Sequence, residues 1–168
     1  MIRVTIPIRV CVAGLLAASL SACSDTVVDQ SHLPVDRRVA TRYSATLRVD
    51  LENMEALPSG LYVQNLVDGE GIRADSGDIA RVHYTGWLPT GAEFDSSRDG
   101  APFEFALGYG RVIAGWDQGV VGMRVGGRRK LVVPPALGYG DAGRGRIPAN
   151  STLVFEVELL EVEDRTPN

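Results

Sequence analysis

One short segment of this 168-residue chain interrupts a β pattern and limits the fold more than any other feature. Val112–Met123 places Ile113, Trp116 and Val120 at i, i+3 and i+7, the spacing of one helical face. Gly115 and Gly119 keep that helix short. On either side, Gly60–Val67, Asp78–Leu88, Phe103–Leu107, Arg128–Val133 and Thr152–Val162 are short runs rich in β-branched and aromatic residues, bounded by Gly, Pro, Asp or Ser. In the last run Leu153, Phe155, Val157 and Leu159 alternate with Glu156 and Glu158, so one face is apolar. An antiparallel sheet with a single helix buries that face by curling around the helix, which predicts an α+β domain.

The first 22 residues do not belong to that domain. Arg3 and Arg9 give a basic start, and Val10–Ala22 is an uncharged apolar stretch. It is too short to span a bilayer, which takes about 20 residues, but it fits the core of a signal peptide. The stretch ends Leu20-Ser21-Ala22-Cys23, which resembles the bacterial lipobox, where the cysteine is diacylated and becomes the first residue. The only other cysteine, Cys11, would leave with residues 1–22, so the exported chain has no disulfide to make. Losing Arg3 and Arg9 from 17 basic residues leaves 15 against 21 acidic ones, a balance that argues against nucleic acid as a partner. The expected location is the bacterial cell envelope, with a lipid anchor in the outer membrane facing the periplasm. Ser24, not Asp, after the cysteine resembles a signal for that onward transport. Residues 23–56 are mostly polar and read as a flexible tether. Within them, Tyr43–Leu51 alternates and predicts a possible edge strand. The domain then spans 57–164, with 165–168 as a tail.

Motifs for bond-breaking chemistry fail on context. Gly138-Tyr139-Gly140-Asp141-Ala142-Gly143 matches G-x-G-x-x-G, but Pro134-Pro135 precede it and Gly145 to Pro148 follow, so no helix can start there to bind phosphate. Ser96 and Ser97 have no histidine neighbour in sequence. His32 lies in the tether and His83 within a strand, so neither a serine hydrolase nor a metal site is expected. Arg128-Arg129-Lys130 reads as a solvated strand end. Asn150-Ser151-Thr152 matches a glycosylation sequon, without meaning behind a bacterial lipobox. What remains is aromatic. Six short segments carry it: VHYTGWL (82–88), EFDSS (93–97), PFEF (102–105), VIAGWDQG (112–119), ALGYG (136–140) and STLVFEVELL (151–160). Aromatic walls with one acid, Asp95, and one phenol point to recognition of an apolar ligand group. By itself Asp95-Ser96-Ser97 reads more readily as ordinary turn chemistry, with the carboxylate capping backbone N–H groups.

In this order and near this spacing, the six segments resemble the FKBP family of peptidyl-prolyl cis–trans isomerases over roughly Leu57 to Asp164. The resemblance implies an antiparallel half-open β-barrel wrapped around one short α-helix. It also implies a proline pocket lined by Tyr84, Phe94, Phe103, Val112, Ile113, Trp116, Ile147 and Phe155, with Trp116 as its floor. The Ile113 backbone N–H and the Tyr139 hydroxyl would donate to substrate carbonyls, and Asp95, held by Tyr84, would face the rotating amide. Proline-containing polypeptides are the implied partners, together with tacrolimus-like macrolides; no cofactor is needed, and a monomer is expected. The chain departs from the commoner family pattern in the short Asp99–Pro102 stretch, in Arg111 where an acidic or amide residue is frequent, and in Arg146 where an apolar residue is usual. These departures bear on substrate preference. An isomerase of exported proteins is the leading expectation; a holdase or proline-peptide binding module with little turnover is the alternative, and a purely structural lipoprotein is argued against by the complete aromatic set.

Overall fold

The computed structural model describes residues 41–164. The signal segment 1–22, the lipidation candidate Cys23, the first part of the tether and the tail 165–168 lie outside the described residues. Seven strands and one helix form the domain: β1 Glu55–Ala56, β2 Tyr62–Val67, β3 Ile79–Trp87, β4 Glu93–Ser96, β5 Phe103–Ala106, α1 Ala114–Val120, β6 Arg128–Val133 and β7 Leu153–Glu163. All pairings are antiparallel, in the order β1-β2-β6-β7-β3-β4, with β5 also on β3. The long β3 is therefore central. Its first half pairs with β5 (Val82 opposite Phe103) and its second with β4 (Gly86 opposite Asp95) on the same edge. Register shifts in the β2–β6, β3–β7 and β3–β4 pairs mark irregularities of the kind that bend strands and raise twist. The sheet thus curls around α1, as the single helical segment requires.

Helix and sheet meet at close range because two helical positions lack side chains. A Cβ on Gly115 would lie 2.5 Å from Val133 Cγ1, and one on Gly119 would lie 2.7 Å from Leu131 Cδ2. The glycines that shorten the helix also seat it on β6. Around that contact Leu61, Val82, Leu107, Val120, Leu131, Val133, Leu153, Val157 and Leu159 are fully buried. Arg129 finishes the helix: its Nη1 donates to the carbonyls of Gly119 (2.8 Å) and Val121 (3.2 Å), satisfying orphan acceptors at the carboxy-terminal end.

The predicted edge strand 43–51 is not a strand. Ala45–Leu47 and Leu51–Asn53 are 3₁₀ turns instead. Arg48, at φ 47°, breaks any extended run between them, and the Asp50 side chain caps the second turn by accepting from the Glu52 N–H. These turns bring Leu47 and Met54 onto the outer face of the sheet, where they bury Val132 and Val154. The end of the segment read as a flexible tether is therefore packed. The β7 alternation had an exception in Val154, an apolar residue on the polar face; this outer cluster is its cover. Lys130 holds the same segment. Its side chain is 4% exposed, pairs with Glu156 at 3.3 Å and donates to the Leu47 and Arg48 carbonyls. The reading of Arg128-Arg129-Lys130 as a solvated strand end holds for Arg128 and fails for Lys130: an ammonium that finds a carboxylate and two carbonyls can be buried.

Candidate functional site

The curled sheet leaves a cavity of about 670 Å³ above the amino-terminal end of α1. Tyr84 enters it from β3, Phe94 and Asp95 from β4, Phe103 from β5, Trp116 from α1 and Phe155 from β7. The loop before α1 adds Gly110 through Ile113, the first helical residue adds Ala114, and the loop after β6 adds Gly138, Tyr139 and Arg144. Trp116 and Phe155, 4% and 3% exposed, close the bottom. Their rings meet edge to face at 5.4 Å, and Tyr84 meets Trp116 the same way at 4.9 Å. Phe94 stands perpendicular to Phe155 at 5.6 Å. Such edge-to-face packing is the favoured arrangement of aromatic quadrupoles, and each pair is worth about 0.5–1.5 kcal/mol beyond its buried area. A Cβ on Gly86 would lie 2.7 Å from Phe94 and 2.8 Å from Phe155, so only glycine lets both rings stand.

Polar groups are few, and two of them pair with each other. The Tyr84 hydroxyl donates to Asp95 Oδ2 at 2.6 Å. Burial, and then this bond, pushes the Tyr84 phenol well above its usual range, so it stays protonated. By contrast, the Ile113 N–H and the Tyr139 hydroxyl donate to no acceptor among the described residues. Both donors are thus free beside an apolar floor. The lining holds no histidine, cysteine or lysine, and no group of three or more metal-ligating side chains exists among the described residues. The arrangement can seat an apolar ring, strip water from an attached amide and donate to carbonyl oxygens. Its lining lacks the imidazole, thiol and amine groups often used for general acid–base work.

Of the residues expected to line a pocket, Tyr84, Phe94, Asp95, Phe103, Val112, Ile113, Trp116, Tyr139 and Phe155 surround this cavity. Ile147 does not; it is 8% exposed and packs into the core. The two-way backbone pairing of Arg144 with Ile147 (2.9 and 2.8 Å) turns Ile147 inward and leaves Arg144 on the cavity. Asp117 was missed altogether. Its two carboxylate oxygens accept from the Gly108 and Gly110 N–H groups, each at 2.9 Å, and so fix the loop that delivers Val112 and Ile113. An acid in the first turn of a helix, just after a Gly-Tyr-Gly loop, was the available signal.

Ser96 and Ser97 also have a settled place. Ser97 Oγ accepts from the Tyr84 N–H at 3.0 Å, and Ser96 Oγ donates to the Tyr84 carbonyl at 3.2 Å. His83 Nδ1 lies 3.1 Å from Ser97 Oγ, a neighbour that sequence spacing hid. Alternation along β3 sends His83 away from Tyr84, and neither His83 nor Ser97 lines the cavity, so the pair fastens β4 to β3.

Comparison with known proteins agrees with this geometry. The family model of FKBP-type peptidyl-prolyl cis–trans isomerases matches residues 70–160. Peptidyl-prolyl cis-trans isomerase FKBP2 of Homo sapiens is 54% identical over 106 residues, covering 62% of this chain and 75% of the human protein. The FK506-binding protein of Neisseria meningitidis serogroup B is 51% identical over 105 residues, 61% of this chain and 96% of the relative. Among solved structures, FkpA from Escherichia coli superposes with a TM-score of 0.63 at 42% identity, over 68% of this chain and 54% of that one. AtFKBP13 gives a TM-score of 0.61 at 40% identity, over 64% and 97%.

Proposed function

This chain belongs to the FKBP family of peptidyl-prolyl cis–trans isomerases, and we propose that it turns X–Pro bonds of exported proteins by drying and twisting the amide. The supporting observation is an aromatic cavity in which the Ile113 N–H and the Tyr139 hydroxyl are uncommitted and whose lining holds no histidine, cysteine or lysine. Rotation about a peptide bond faces about 18–20 kcal/mol because the C–N bond is partly double. At X–Pro the cis and trans forms lie close in energy, so rotation is slow but nearly balanced. Catalysis therefore needs only an environment that binds the twisted amide better than either planar form. The planar amide carries more charge on its oxygen. An apolar site that leaves this oxygen unmatched raises the ground state by roughly 1–3 kcal/mol. Four decades of rate require on the order of 5–6 kcal/mol. Desolvation, seating of the proline ring on Trp116, and donation from the Ile113 N–H and Tyr139 hydroxyl together reach that range. Asp95 keeps Tyr84 upright and faces the rotating carbonyl. The same cavity suits tacrolimus-like macrolides, consistent with the name of the meningococcal relative, FK506-binding protein.

Rotation of Ala-Leu-Pro-Phe peptides, followed by exchange NMR, tests this directly. Wild-type protein should accelerate it, and a rate flat from about pH 6 to 9 is expected, since no group acts as a general acid or base. The raised Tyr84 value fits: a proton held more tightly in the folded state favours folding fully below about pH 10, the unfolded phenol value, and loses that effect only above it. A bell-shaped profile would mean that proton transfer matters, and absence of turnover would leave a holdase.

The cellular setting is part of the same proposal. Cys23 carries a diacyl anchor that holds the domain, as a monomer, at the outer membrane facing the periplasm. Two acyl chains give stable residence where a single chain is marginal. Cys23→Ser should leave the chain uncleaved or release it to the soluble fraction, as read by fractionation and blotting. Wild-type protein found wholly soluble would contradict the anchor.

A further inference from the structure

Resting on the isomerase reading, we propose that Arg111 and Arg144 make this site selective for prolines with an acidic neighbour. Both side chains are exposed and both line the cavity, from different loops. Neither guanidinium has an ion pair or hydrogen bond among the described residues. That distinguishes them from Arg73, Arg81 and Arg98, each paired with a carboxylate. The Arg144 Cζ lies 5.6 Å from the centroid of the Tyr139 ring, which places the charge over the residue whose hydroxyl is free.

Both backbones are held. Asp117 clamps Gly108 and Gly110 immediately before Arg111. Arg144 is bonded in both directions to Ile147 and flanked by Gly143 and Gly145 at φ 63° and 55°, which a side chain would strain. The nearby acids do not neutralise the pair. Asp95 already accepts from Tyr84, Asp117 is taken up by two amides, and Asp141 is exposed outside the lining. The cavity lining thus carries two guanidiniums and a single carboxylate, in a chain whose net charge is −4. A Glu or Asp beside a seated proline would accept from a guanidinium in fork geometry, whereas a lysine there meets like charge.

The test compares kcat/KM by exchange NMR for Ala-Xaa-Pro-Phe and Ala-Leu-Pro-Xaa peptides, with Xaa as Glu, Leu or Lys. In at least one series Glu should exceed Lys by about fivefold at low ionic strength, mainly through KM. In 1 M salt, where the Debye length is about 3 Å, the ratio should fall towards one. In the Arg111→Glu/Arg144→Glu variant it should invert, the Leu peptide serving as reference within each protein and near-UV circular dichroism reporting the fold. A wild-type ratio of one in both series, or a ratio unmoved by salt or by the folded double variant, overturns the charge selection while leaving the isomerase intact. Should the variant not fold, the salt titration of wild type decides. No turnover of any peptide by wild type overturns instead the isomerase reading beneath it.

Discussion

Trp116→Ala should lower stability by about 3–5 kcal/mol, the usual range for removing a buried tryptophan, and should abolish measurable isomerase activity. The indole is 4% exposed and packs against Tyr84, Phe103, Phe105 and Phe155, so no neighbouring backbone can collapse into the gap without opening the sheet. For a domain of this size the thermal midpoint should fall by roughly 10–20 °C. Trp116→Phe is the informative partner. The indole Nε1–H is buried without an acceptor, and a stranded donor costs about 1–3 kcal/mol. Phenylalanine relieves that while keeping a ring, so its loss should be less than half that of alanine. Equal losses in calorimetry would show that the floor is held by something other than ring packing. Fluorescence adds a check, because Trp87 packs on the outer face with Val132 and Val154. A ligand-dependent signal should therefore vanish with Trp116 and persist without Trp87.

The site was legible where side-chain type and strand period act together. Tyr84, Phe103 and Phe155 lie on strands whose alternation and composition already placed them, and the family segments placed Phe94 on the wall and Val112, Ile113 and Tyr139 on the loops. Failures came where loop backbone or a distant partner decides the outcome. Ile147 turns inward through the Arg144–Ile147 turn, with Gly143 and Gly145 at positive φ, a choice that apolar character alone does not fix. Tyr43–Leu51 alternates as an edge strand would, but an alternating run pairs only if a strand edge is free. Here the outer face offered a better bargain: Val132 and Val154 needed cover, and Lys130 needed carbonyls. Lys130 itself shows the general difficulty. A basic run is solvated unless residues far away in sequence supply its partners, and Leu47 is 83 positions distant.

Asp95→Ala should reduce kcat/KM by more than tenfold, and by more than Tyr139→Phe. The Tyr139 hydroxyl is one free donor, worth about 0.5–1.5 kcal/mol, so its removal should cost up to about tenfold and leave activity measurable. Asp95 acts twice in the proposed mechanism: it accepts the Tyr84 hydroxyl at 2.6 Å, and it presents a carboxylate to the rotating amide. Its own side chain is exposed, so water screens the second effect and sets a modest ceiling on it. Tyr84→Phe separates the two, because it removes the hydroxyl, keeps the edge of the ring against Trp116 and leaves the carboxylate in place. If Asp95 serves only to hold Tyr84, Tyr84→Phe should match Asp95→Ala, and the double variant should add nothing. If the carboxylate also acts on the substrate, Asp95→Ala must remain the worse of the two, with an additional loss in the Tyr84→Phe background. Both losses should appear without a bell-shaped pH profile. An Asp95→Ala variant with native fold and wild-type turnover would leave shape and dryness of the aromatic cavity as the whole of the catalysis.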